Sequence, residues 1–148
     1  MKRYIFGFMI LSALGGAGFA EDKTADSEVK KLEGTWEIVA AEIMGKKIDA
    51  PKGKGGSIIF SKGMKLVMKD PGKPDKDGKY KIDTSNSPKQ LDLIELKDGK
   101  DGKVTQAIYE VDGDTLRLGF SGEGAKGKRP TEFKGDKVVI LHLKRQKS

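Results

Sequence analysis

Beyond Gly34 the chain never runs far without a turn residue, and this excludes long helices. Gly, Asp, Asn or Pro recurs every few residues, and no segment after residue 34 keeps a helical period. The spacing predicts short strands over Thr35–Ile43, Ser57–Phe60, Met64–Lys69, Gly78–Ile82, Leu91–Leu96, Thr105–Val111, Thr115–Phe120, Thr131–Phe133 and Val138–Leu143. A short segment at Lys46–Ile48 extends the first hairpin. Leu116, Leu118 and Phe120 point to one face while Thr115 and Arg117 point to the other. Trp36, Ile38 and Ala40 alternate in the same way with Thr35, Glu37 and Val39, as in a sheet with one wet face. Asp112-Gly113 tolerates the positive φ of a tight hairpin, and Ser61-Lys62-Gly63 and Gly135-Asp136 serve their own strands similarly. Asp98 to Gly102 reads as a longer polar loop, and Lys69 to Lys79 as an exposed one. Many antiparallel strands at such close spacing imply a closed barrel or a sandwich.

The N-terminus specifies an address. Lys2 and Arg3 precede an apolar stretch from Tyr4 to Leu14, small residues follow through Ala20, and Glu21-Asp22-Lys23 turns abruptly to charge. This is the three-part pattern of a secretory signal peptide over residues 1–20, and its apolar run is too short to span a bilayer. An exported protein, periplasmic or extracellular, with no transmembrane segment after cleavage is therefore expected. Residues 21–31 read as a polar leader or short helix, and residues 32–146 as one domain.

Composition then narrows the chemistry. The chain carries 29 basic and 22 acidic residues, and removal of Lys2 and Arg3 with the signal lowers the net charge from +7 to +5. That charge is interspersed along the chain rather than gathered in a stripe with aromatics, which argues against nucleic acid as a partner. There is no Cys and a single His, His142, so thiol chemistry, Cys–zinc sites and two-imidazole sites are all excluded. His142 alternates with apolar neighbours on a predicted strand, and no carboxylate spacing marks an acid and a base. Asp75-Lys76-Asp77-Gly78 and Asp98-Gly99-Lys100-Asp101-Gly102 lack the ligand spacing of a calcium loop, and Gly53-Lys54-Gly55-Gly56-Ser57 opens no helix that would cradle phosphate. The expectation is a non-enzyme without cofactor or metal.

Leu32-Glu33-Gly34-Thr35-Trp36 resembles the opening signature of lipocalin-like barrels, with Gly34 and Trp36 in the Gly-x-Trp positions. The resemblance implies that Trp36 plugs one end and that a late arginine, here Arg145, packs across its indole. Three further segments, Pro88-Lys89-Gln90-Leu91-Asp92-Leu93, Ile108 to Leu116 and Arg129-Pro130-Thr131-Glu132-Phe133, extend the match over about residues 31–145. Together they resemble a family of uncharacterised small exported domains known mainly from planctomycete bacteria. The resemblance implies a lipocalin-like antiparallel β-barrel of about eight strands, and no activity, cofactor or catalytic residue.

Within these motifs Arg129 can pair with a carboxylate such as Asp92, stapling a loop to the barrel or lining a ligand mouth with Tyr109 and Glu132. A small barrel either fills itself with side chains or holds one small ligand. Two readings follow. One is a monomeric binder of a small apolar or amphipathic molecule. The other is a cell-envelope interaction module whose basic loops engage an acidic partner. Trp36→Ala is expected to cost about 3–5 kcal/mol of stability, and Arg145→Ala less. Urea unfolding measures both, and an unchanged midpoint for Trp36→Ala would show that the indole is not a plug.

Overall fold

The computed structural model describes residues 26–122 and 128–147, so the signal peptide expected over residues 1–20 lies outside the described residues. A short helix, α1 (residues 26–32), leads into nine strands: β1 (Gly34–Ile43), β2 (Lys46–Asp49), β3 (Ser57–Ser61), β4 (Lys65–Lys69), β5 (Lys76–Asp83), β6 (Lys89–Lys97), β7 (Lys100–Asp112), β8 (Thr115–Ser121) and β9 (Val138–Arg145). Every pairing is antiparallel, in the order β1-β3-β4-β5-β6-β7-β8-β9, and β9 returns to β1. The result is a closed, up-and-down, lipocalin-like barrel of eight strands. β2 is an appendage rather than a stave.

One irregularity in β1 creates that appendage. The register against β9 shifts between Ile38 and Ala40, marking a bulge. Before it, Gly34–Glu37 pair with β3 on one edge. After it, Ala40–Ile43 pair with β2 on that same side, while β9 runs along the other edge. The first hairpin therefore projects past the barrel wall.

The inner face follows directly from alternation. Trp36, Ile58, Phe60, Leu66, Tyr80, Leu91, Leu93, Tyr109, Leu116, Leu118 and Leu143 are buried in one core, with Leu32 of α1 packed into it. Phe60 and Tyr80 meet edge to face, their ring centroids 4.9 Å apart. The outward set is polar on most strands. Ile108 is an exception, buried on the outer side because the segment at residues 128–133 folds across it.

That segment corrects one expectation. Thr131–Phe133 forms no strand; it crosses the outside of the barrel as irregular chain. Pro130, buried here, has no N–H to offer a ladder. Phe133 instead packs against Gly119 and Ile108, with the Arg117 guanidinium 4.2 Å from its ring centroid. Two loops also shorten. Asp98-Gly99 alone turns β6 into β7, Asp98 at φ 54 and Gly99 at φ 77, so Lys100–Val104 is strand. Only residues 70–75 connect β4 to β5. The polar leader assigned to residues 21–31 is helical from residue 26, and Glu28 and Leu32 of α1 are both buried.

Among the described residues, Tyr80 Oη is the one buried side-chain polar atom with no hydrogen-bond partner. Burial, with the nearby Glu33 charge, pushes its pKa up to about 12. A buried hydroxyl without a partner forfeits its hydration for no return, so deleting it should help. Tyr80→Phe is expected to leave the fold intact and raise stability by about 1 kcal/mol, measured by urea unfolding.

Candidate functional site

The two ends of the barrel differ, and the difference locates the site. At one end lie the start of β1, the end of β9 and helix α1. Trp36 is fully buried there, and its Nε1 donates to the Leu32 carbonyl at 2.7 Å. The Arg145 guanidinium stacks 4.2 Å from the indole centroid. Its Nη1 donates to the Glu33 carbonyl at 2.7 Å and its Nη2 to the Lys31 carbonyl at 2.6 Å. Arginine thus satisfies carbonyls at the C-terminus of α1 while covering the plug. Gly34 makes room for it: the backbone stands at φ +127, and a Cβ there would lie 2.8 Å from Arg145 Nη1.

Beside the plug sits a buried carboxylate that sequence reasoning missed. Glu28 of α1 is 4% exposed. It accepts from Lys89 Nζ at 2.6 Å and from the Tyr109 hydroxyl at 3.2 Å, with Lys31 Nζ 3.4 Å away. Burial works to raise its pKa. The hydrogen bond and charge of Lys89, with Lys31 and the Tyr109 hydroxyl, outweigh burial and hold it below the usual carboxylate value. Tyr109 moves the other way, pushed up first by burial and then by the Glu28 charge. One signal was present in the sequence: Glu28 lies four residues before Leu32, on the same helical face as that apolar residue.

The residues grouped as a mouth or staple are not one constellation. Arg129 Nη2 donates to Asp92 Oδ1 at 2.5 Å, and its Nη1 donates to the Ala107 carbonyl at 2.7 Å and the Leu91 carbonyl at 3.4 Å. Asp92 pairs with Lys81 and Gln106 on the outer face, so Arg129 fastens the crossing segment to the barrel exterior. Tyr109 points inward at the closed end. Glu132 is exposed and, among the described residues, pairs with Lys134 at 3.9 Å. None of the four lines the open mouth. His142 lies outside, its Nε2 2.5 Å from Glu42 Oε2.

At the opposite end the barrel is hollow. A cavity of about 210 Å³ is walled by Ile38, Ile58, Met68, Leu93, Leu118, Phe120 and Leu141. Its rim carries Thr105 and three charged groups, Asp70, Lys76 and Glu95. Glu95 faces inward, because it pairs with Gly78, whose neighbour Leu66 is a core residue. Lys76 Nζ stands 3.7 Å from Glu95 Oε1, an ion pair too long for a hydrogen bond. An engineered apolar cavity of about 150 Å³ admits benzene, so about 210 Å³ suits a single ring with a short chain. Lysines of the neighbouring hairpins are already paired, Lys69 with Asp75 and Lys79 with Asp101. Among the described residues, no group of three His, Asp or Glu side chains could hold a metal ion, and no helix is long and apolar enough to cross a membrane.

Comparison with protein-family models, curated proteins and solved structures found no match.

The Glu28 network generates a test with a defined sign. A carboxylate whose folded pKa lies below its unfolded value stabilises the fold above the unfolded pKa. That stabilisation is lost as pH falls through the folded value. Glu28→Gln is expected to cost about 1–3 kcal/mol at neutral pH. Its stability should also fall less steeply than the wild type's as the solution is acidified below the ordinary glutamate pKa of 4.5. Urea unfolding across that range checks both.

Proposed function

We propose that this chain is an exported, non-enzymatic carrier that holds one small apolar or amphipathic molecule in the open end of its barrel. The supporting observation is the cavity itself: an apolar chamber ending in a polar rim, above a floor sealed by Trp36 and Arg145. A fully packed barrel would bury these side chains against one another; here several inward apolar groups face space. The rim suits an amphipathic guest. The hydrocarbon part enters against Leu93, Leu118 and Leu141, and a polar head remains level with Thr105 and Glu95. The secretory pattern of residues 1–20 and the resemblance to small exported domains support action outside the cytoplasm. Binding needs no catalytic group.

Native mass spectrometry on protein purified from its source cell envelope tests the reading. A discrete added mass that disappears on denaturation is expected. Met68→Trp, which places an indole where the guest would lie, should abolish that mass at a stability cost of about 1–3 kcal/mol. A bare mass from the wild type, with no uptake of small aromatic probes, would overturn the carrier. A protein complex that dissociates in salt would favour the envelope-interaction reading instead.

A further inference from the structure

We propose that the tip of the β1–β2 hairpin docks on an anionic lipid surface, presenting the barrel mouth to it. Among the described residues, four large hydrophobic side chains are exposed, and three of them lie within six residues of this hairpin: Ile43 at 43%, Met44 at 72% and Ile48 at 58%. Scattered exposed apolar residues are ordinary, but a cluster on a projecting turn has no folding role of its own.

The turn departs from the residues its geometry favours. Met44-Gly45 is a two-residue hairpin loop with both φ angles positive, Met44 at 53 and Gly45 at 78. Such loops favour Asn, Asp or Gly at the first position, because a side chain like methionine is strained there. The β6–β7 hairpin follows that preference with Asp98 at φ 54. Methionine at the equivalent place carries a local conformational cost in return for an apolar, fully presented apex.

Charge and geometry name the occupant. Residues 43–54 carry four lysines, Lys46, Lys47, Lys52 and Lys54, against one carboxylate, Asp49. Glu42 lies opposite Lys47 across the hairpin but is engaged by His142, and Glu37 accepts from the Gly53 amide. An apolar apex flanked by a local excess of lysines matches the boundary between acyl chains and anionic headgroups. Ala41 pairs with Leu141, a cavity wall residue, and with Ile48, so Ile43 and Ile48 continue the inner face of the barrel beyond its rim. A second copy of the chain fits less well. Six residues cannot bury the about 1,200 Å² of a stable interface. Insertion stays shallow, since among the described residues no strand lies beside the outer edge of β2 and its backbone groups need water.

Co-sedimentation of the full protein, as processed by its source cell, with phosphatidylcholine vesicles with or without phosphatidylglycerol tests this. Binding only to the anionic vesicles, weakened by salt, is expected. Met44→Asp should reduce it at least about tenfold. The same substitution should hold or raise the melting temperature, because aspartate suits the turn, so lost binding could not be ascribed to misfolding. Lys46→Gln and Lys47→Gln should each weaken binding about fivefold. Three outcomes would overturn the proposal: no binding to anionic vesicles, binding unaffected by Met44→Asp, or a dimer by sedimentation that Met44→Asp abolishes while vesicles remain unbound.

Discussion

The contact on which the rest of this barrel depends is the Arg145 guanidinium against the Trp36 indole. It joins the last residue of the closing strand to the first strand and, through the carbonyls of Lys31 and Glu33, to the helix ahead of it. A barrel closes only if its first and last strands find each other, and they are the pair most distant along the chain. A cation stacked on an aromatic face contributes about 0.5–2 kcal/mol depending on desolvation. Here the same group also satisfies helix-terminal carbonyls that would otherwise need water. Closure, sealing of one end and docking of the helix are therefore one event.

Sealing one end so thoroughly gives the molecule its polarity. Trp36, Tyr80, Tyr109, Phe60 and Leu32 crowd the closed half, and Glu28 is drawn in with them because Lys89 and Tyr109 offset its burial. The open half directs mostly aliphatic groups inward, and space remains beneath a charged rim. The bulge in β1 adds a hairpin on that same side. A chamber, its rim and an apolar projection thus share one end.

Much of the fold was legible because a sheet with one wet face writes its pattern in period two, and eight of the nine expected strands overlie observed ones. The errors share a cause. Asp98 to Gly102 looks like a loop by composition, yet two residues with positive φ suffice to turn, and cross-strand pairing recruits the remaining polar residues into β7. Thr131–Phe133 looks like a strand, yet both edges of the neighbouring strands were already occupied in the closed barrel, leaving only the outer surface for it. Glu28 was passed over because a charged residue in a polar leader signals solvent until its partners, 61 and 81 residues away, are known.

Local rules, read from the chain alone, determined the strands, the turns and the Gly-x-Trp start, since each depends on residues a few positions apart. Whether the inward faces would meet or leave room was decided only in three dimensions. Cavity volume is a small difference between the space eight strands enclose and the side chains that fill it, and no short stretch of sequence encodes that difference. The separation of Arg129 and Asp92 from the mouth, and the union of Glu28 with Tyr109, belong to the same category. Both are set by which strand lies beside which once the barrel has closed.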